Sequence, residues 1–121
     1  KSLSDVIASS AVASMADLAA ENHMERSVVK YIAALAAATR ASESTSVGVS
    51  TRGALAMARV VRVWAAAQGR PYVVPDDVRM LAQVVWAHRL VMDPDAEFAG
   101  ATPSAVISEA MEVVPVPTVQ K

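Results

Sequence analysis

The chain has 121 residues, enough for one domain and too few for two. Its formal net charge of -1 excludes a module that holds nucleic acid or a membrane surface through bulk positive charge. Its 54% hydrophobic content is alanine and valine spread everywhere, with no run near the ~20 residues of a bilayer span, and the absence of cysteine removes disulfides, thiolate metal sites and thiol nucleophiles.

In chain order, the opening Lys1-Ser2-Leu3-Ser4-Asp5 carries no signal-peptide pattern and reads as the cut edge of a longer, cytoplasmic protein. Leu3, Ile7, Ala11, Met15 and Leu18 recur at helical spacing, predicting a helix from Ser4 to about Ala20, with Glu21-Asn22-His23 as the turn. A second helix is expected from about Met24 to Ala41, its stripe made by Val28, Ile32, Leu35 and Thr39. The serine-rich stretch from Ser42 to Ser50 reads as a loop. A helix from Thr51 to Gln68 follows and stops at Gly69. Its apolar residues cover more than one face, which predicts a central, buried helix.

Tyr72-Val73-Val74 is a short β-branched and aromatic piece, and Pro75 opens the next helix with Asp76 and Asp77 in its first turn. Val78, Leu81, Ala82 and Val85 supply that helix's core face. Leu90-Val91-Met92 is expected to pair with 72–74 as a two-strand ribbon. A loop from Asp93 to Thr102 leads to a shorter helix, Pro103 to about Glu112, and residues 113–121 form an extended tail because Pro115 and Pro117 forbid helix. The fold class is all-α, a bundle of about five helices with a minor ribbon, the domain spanning 1–112.

Common catalytic machinery is missing. Neither Lys1, Lys30 nor Lys121 follows a glycine as a phosphate loop requires, and His23 and His88 sit in no metal-binding frame. No G-x-S-x-G elbow exists. Asp76 and Asp77 are explained as dipole residues behind Pro75, and no metal site is expected.

Three pieces in order carry a resemblance: Tyr31-Ile32 running on to Thr39-Arg40; Gly48-Val49-Ser50-Thr51-Arg52-Gly53-Ala54; and Gly69-Arg70-Pro71-Tyr72-Val73-Val74-Pro75-Asp76-Asp77, followed by His88-Arg89-Leu90. Together they resemble the C-terminal helical lid of MoxR-type AAA+ ATPases, related to the lids of magnesium-chelatase ATPase subunits. The resemblance implies a lid that closes over ATP and Mg²⁺ held by an α/β core outside this chain, with Arg52 as the sensor-2 arginine that reaches the γ-phosphate. It further implies neighbouring subunits of a hexameric ring and chaperone-like work on partner proteins, those with von Willebrand A-type domains among them. The chain alone is expected to be non-catalytic. A freestanding helical adaptor with no nucleotide role is the alternative.

The residues around Arg52 support this chemistry by themselves. Ser50 is a good N-cap, so Arg52 falls in a first turn whose free N–H groups and positive dipole end favour an anion. A guanidinium there adds a fork-shaped, charge-assisted phosphate ligand. Gly48 is expected to give the chain a flexible approach, and Gly53 to remove a side chain that would crowd the ligand. Arg59, seven residues on, shares nearly the same face, as a second basic contact or a solvated residue. Arg40 is accounted for as a cation at a helix C-terminus, with a nucleotide-side or interface role left open. His88 and Arg89 are likewise read as C-terminal cations. Valine at 74 supplies no side-chain cap for the Pro75 helix.

Overall fold

The computed structural model describes residues 24–118; the helix expected over 4–20, its following turn and residues 119–121 lie outside the described residues. The elements are α1 (Arg26–Ala41), β1 (Thr45–Val47), α2 (Thr51–Ala67), α3 (Pro75–Trp86), a single 3-10 turn (Ala87–Arg89), β2 (Val91–Met92), α4 (Pro94–Phe98) and α5 (Pro103–Val113). The class is all-α with a small antiparallel ribbon, as expected.

Helical periodicity places the core. Val28, Ile32, Leu35 and Thr39 of α1 are all buried, as are Val78, Ala82 and Val85 of α3, while Leu81 is half-buried. They meet Met57, Val61 and Ala65 of α2 and Val106 and Ile107 of α5. Helix α2 packs against both α1 and α3, and α5 closes the bundle against the same two helices. One side of α2 stays open, with Val63 70% exposed, so this helix is central without being enclosed all round. Its apolar excess lies on the open side, where Arg59, Val60, Val63, Trp64 and Ala67 line a shallow cleft of about 330 Å³.

Helix α2 ends at the predicted glycine. Gly69 takes φ of 77°, and the N–H groups of Gly69 and Arg70 donate to the carbonyls of Ala66 and Ala65. Both bonds together make a Schellman turn, which satisfies carbonyls that the helix end would leave free.

That turn delivers Arg70 to Asp77. The guanidinium forms a bidentate pair with the carboxylate at 2.9 and 2.6 Å, donates to the Tyr72 carbonyl at 3.2 Å, and lies over the Tyr72 ring. The hydrogen bond to Asp77 holds the arginine's proton more tightly than usual. Asp77 also accepts the N–H of Val74 at 2.9 Å. The carboxylate three residues into α3 therefore binds the N-cap N–H, one half of a capping box whose other half, a side-chain acceptor for the first-turn N–H groups, valine does not supply.

These bonds correct the expected ribbon. Residues 72–74 do not pair with 90–92; the partner of β2 is β1, with Thr45 opposite Met92 and Val47 opposite Val91. Val73 is buried in the core, the Tyr72 carbonyl is taken by Arg70, and the Val74 N–H is taken by Asp77, so the edge carrying those two groups is already used. The serine-rich stretch read as a loop supplies the strand instead, tied by Asp93 N–H to Ser44 O at 2.9 Å and by Ser46 Oγ to Val91 O at 3.2 Å. The loop expected from Asp93 to Thr102 also contains α4: Asp93 caps it by accepting Ala96 N–H at 3.1 Å, and Pro94 opens it.

A brace absent from the periodicity joins three helices. Arg79 Nη1 of α3 donates to Tyr31 Oη of α1 at 3.1 Å and to Met111 O of α5 at 3.3 Å. Beyond α5, Val114 packs on the core, and Pro115 and Pro117 line a shallow cleft with Ser27, Lys30, Tyr31 and Ala34 of α1. Among the described residues no helix is long and apolar enough to cross a membrane, and no cluster of His, Asp and Glu is arranged to hold a metal ion.

Candidate functional site

The site is built where the chain leaves β1 and enters α2. Ser50 has extended backbone and accepts the N–H of Gly53 at 3.2 Å, making it the N-cap that the sequence predicts. Arg52 therefore occupies the second helical position. Its side chain is exposed, and among the described residues no carboxylate or carbonyl engages it. A cation in a first turn opposes the helix dipole, so local electrostatics give the free chain no reason to place it there. An incoming phosphate reverses that sign by adding negative charge to a spot where a guanidinium and unpaired N–H groups already point.

Two anchors hold this turn. On the α1 side, Arg40 Nη1 donates to the Val49 carbonyl at 2.6 Å, and Thr39 Oγ1 accepts the Val49 N–H at 2.9 Å. Thr39 Oγ1 in turn donates to Ala36 O at 2.7 Å, so its hydroxyl is fully used. On the α3 side, Trp86 Nε1 donates to the Gly53 carbonyl at 2.9 Å from a fully buried ring. Arg52 is thus carried between a residue fixed to α1 and a residue fixed to α3.

The glycines act by packing. Gly48 does not provide a flexible approach: it is buried, and a Cβ there would stand 2.5 Å from Arg40 Cα and N. Gly53 does not clear space for a ligand either, because its missing Cβ faces inward, 2.8 Å from Val49 Cγ1. Arg40 stands in the last turn of α1 as read from sequence, but it does more there. Its guanidinium reaches across to Val49 in the neighbouring segment, not to the last carbonyls of α1, and Thr45 Oγ1 donates to the Thr39 carbonyl at 2.8 Å instead.

Gly48→Ala is expected to lower stability clearly more than Gly69→Ala. The first overlaps helix backbone and costs about 1–3 kcal/mol as overpacking, whereas the second meets nothing within 4 Å and suffers only its positive φ, about 1 kcal/mol. Thermal melts of the two variants compare them directly; equal melting points would refute the close-approach account of Gly48.

The structure brings Gly48, Ser50, Arg52 and Arg40 to one end of the bundle and leaves Arg59 out. Arg59 is exposed two turns along α2, beside the apolar cleft with Val63 and Trp64. It adds instead Arg89, read from sequence as a helix-end cation: its Cδ lies 3.4 Å from the Cβ position of Gly53, so its aliphatic stem crosses the start of α2. The clue available in sequence was the glycine at 53, a helical position where close approach by another chain segment is the usual reason for glycine. Thr39 was legible only as a core stripe residue; a threonine in the last turn of a helix, facing a glycine-containing loop, was the signal for its second role.

The helical bundle with its small ribbon is the fold of a AAA-type lid. The AAA lid domain family model matches residues 37–110, and the chain belongs to that family, in the form carried by MoxR-type proteins. It is 36% identical over 91 residues to the uncharacterized protein YeaC of Bacillus subtilis, covering 75% of this chain and 28% of that protein. It is 31% identical over 112 residues to the chaperone MoxR1 of Mycobacterium tuberculosis, covering 85% of this chain and 30% of that protein. A crystal structure of a candidate ATPase from Cytophaga hutchinsonii superposes with a TM-score of 0.73 at 28% identity, covering 78% of this chain and 32% of that one. The chain therefore spans about a third or less of each relative.

Proposed function

We propose that this chain is the nucleotide-gating lid of a MoxR-type AAA+ ATPase, closing over ATP and Mg²⁺ held by a core domain elsewhere in the parent protein. Arg52 acts as the sensor-2 arginine at the γ-phosphate, and Ser50 and Gly48 hold the turn that carries it. Hydrolysis removes the charge that Arg52 grips, the lid swings, and neighbouring subunits of a cytoplasmic ring receive that motion and remodel partner proteins, those with von Willebrand A-type domains among them. The observation that carries the reading is the exposed Arg52 guanidinium, unpaired among the described residues, on a capped helix start that is anchored on both sides. The family match and the small share of each longer relative that the chain spans favour a lid over the freestanding adaptor.

The isolated chain is expected not to hydrolyse ATP and to bind it far more weakly than micromolar. One arginine and one helix start offer a few kcal/mol, against the ~8 kcal/mol that micromolar affinity requires. Isothermal titration and a steady-state phosphate-release assay, run on the chain and on the full-length parent, test this. Turnover by the chain alone that survives further purification would overturn the placement of the core elsewhere.

A further inference from the structure

We infer that Thr39 and Arg40 are positioning residues for Arg52, acting through the Val49 peptide; the inference rests on the sensor reading of Arg52. Consecutive residues at the end of α1 take both main-chain polar groups of one residue, the hydroxyl accepting Val49 N–H at 2.9 Å and the guanidinium donating to Val49 O at 2.6 Å, and so hold the peptide units on either side of its Cα. Val49 directly precedes the N-cap, so its orientation sets the direction in which the first turn of α2 leaves the loop. Gly48 lies against the backbone of Arg40 with no room for a Cβ, so the loop sits directly on the end of α1.

Thr39 is closed off from a nucleotide, and Arg40 is turned onto the Val49 main chain. Thr39 is fully buried with its hydroxyl already donating and accepting. Arg40 turns one guanidinium donor, Nη1, onto a main-chain carbonyl, in a charge-assisted bond shorter than most N–H···O contacts. Their contribution to catalysis is the placement of another guanidinium, and misplacement of a catalytic group by about 1 Å is enough to cost up to two orders of magnitude in rate. The far side of the turn is fixed independently by Trp86 on Gly53, so loss of the α1 anchor tilts the turn about that point without releasing it.

A double-mutant cycle in the full-length parent ATPase tests the assignment. Arg40→Ala and Thr39→Val are each made alone and together with Arg52→Ala; kcat and KM for ATP are measured with Mg²⁺, and thermal melts verify folding at the assay temperature. The expected result is a fall in kcat of about 3- to 30-fold for each single variant. In the Arg52→Ala background the same changes should cost less than about twofold, because residues acting through one group are not additive. Arg40→Lys, which retains a donor for Val49 O, and Thr39→Ser, which retains the hydroxyl, should recover most of the loss. Equal fold losses in both backgrounds would overturn the inference, since a merely structural role lowers turnover whether or not Arg52 is present. So would wild-type kcat in both Arg40→Ala and Thr39→Val when Arg52→Ala is impaired, and that outcome would leave the sensor reading standing. Wild-type turnover in Arg52→Ala removes the sensor reading itself and this inference with it. Should Thr39→Val fail to fold, the exposed Arg40 carries the cycle alone.

Discussion

Replacing Arg70 with alanine is expected to destabilise the bundle by about 2–3 kcal/mol, lowering the melting temperature by about 10 °C. The Asp77 side chain is 4% exposed and the Arg70 side chain 27%, so removing the arginine strands a carboxylate in the core. Breaking a fully buried pair costs about 3–5 kcal/mol, and the partial exposure of Arg70 puts this one at or below the lower end. The partners are not equivalent. Asp77→Ala leaves a guanidinium that can turn toward water, but it also removes the acceptor of the Val74 N–H. The double variant Arg70→Ala, Asp77→Asn is therefore expected to be more stable than Arg70→Ala alone, because it leaves no buried charge and keeps an acceptor for that N–H. Urea unfolding of the three variants checks the order; a double variant less stable than Arg70→Ala would show that the pair contributes by something other than charge compensation.

The four longer helices, α1, α2, α3 and α5, were legible because their signals are local. Val28, Ile32, Leu35 and Thr39 repeat at helical spacing, Pro75 and Gly69 punctuate, and Ser50 caps, each through an interaction within one or two turns. The ribbon partner was not legible, because Arg70 and Asp77 take the Tyr72 carbonyl and the Val74 N–H of the second candidate, 72–74, while 45–47 pairs with β2. No period in the sequence reports that competition. Val63 shows the same limit: periodicity marks it as apolar but cannot say which apolar face of α2 remains uncovered.

At the site, the Ser50 cap and the first-turn position of Arg52 were legible from local chemistry, while the phosphate role proposed for Arg52 came chiefly from the family resemblance. The supports were not. Arg40 is nine residues from the carbonyl it holds and Trp86 is thirty-three from Gly53, distances at which spacing carries no information. Gly48 and Gly53 were noticed for the right positions and the wrong reason, because a missing Cβ looks the same in sequence whether it frees a chain or lets two segments touch.

Arg52→Ala in the full-length parent is expected to lower ATP turnover about 30- to 1000-fold, the consequence of losing roughly 2–4 kcal/mol of stabilisation at a developing phosphoryl charge. Its melting temperature should stay at the wild-type value or rise slightly, because the side chain is exposed and opposes the helix dipole. Arg52→Lys should restore only part of the rate, since an ammonium supplies charge without the bidentate fork. Arg59→Ala should change turnover less than about threefold, as its guanidinium is exposed two turns away beside an apolar cleft. The most direct measurement is steady-state phosphate release by full-length wild type and Arg52→Ala at saturating ATP and Mg²⁺, with melts as the folding control. A loss of 30-fold or more in a folded variant is the predicted result; wild-type turnover with unchanged ATP affinity would contradict the assignment of Arg52 as the lid's phosphate sensor.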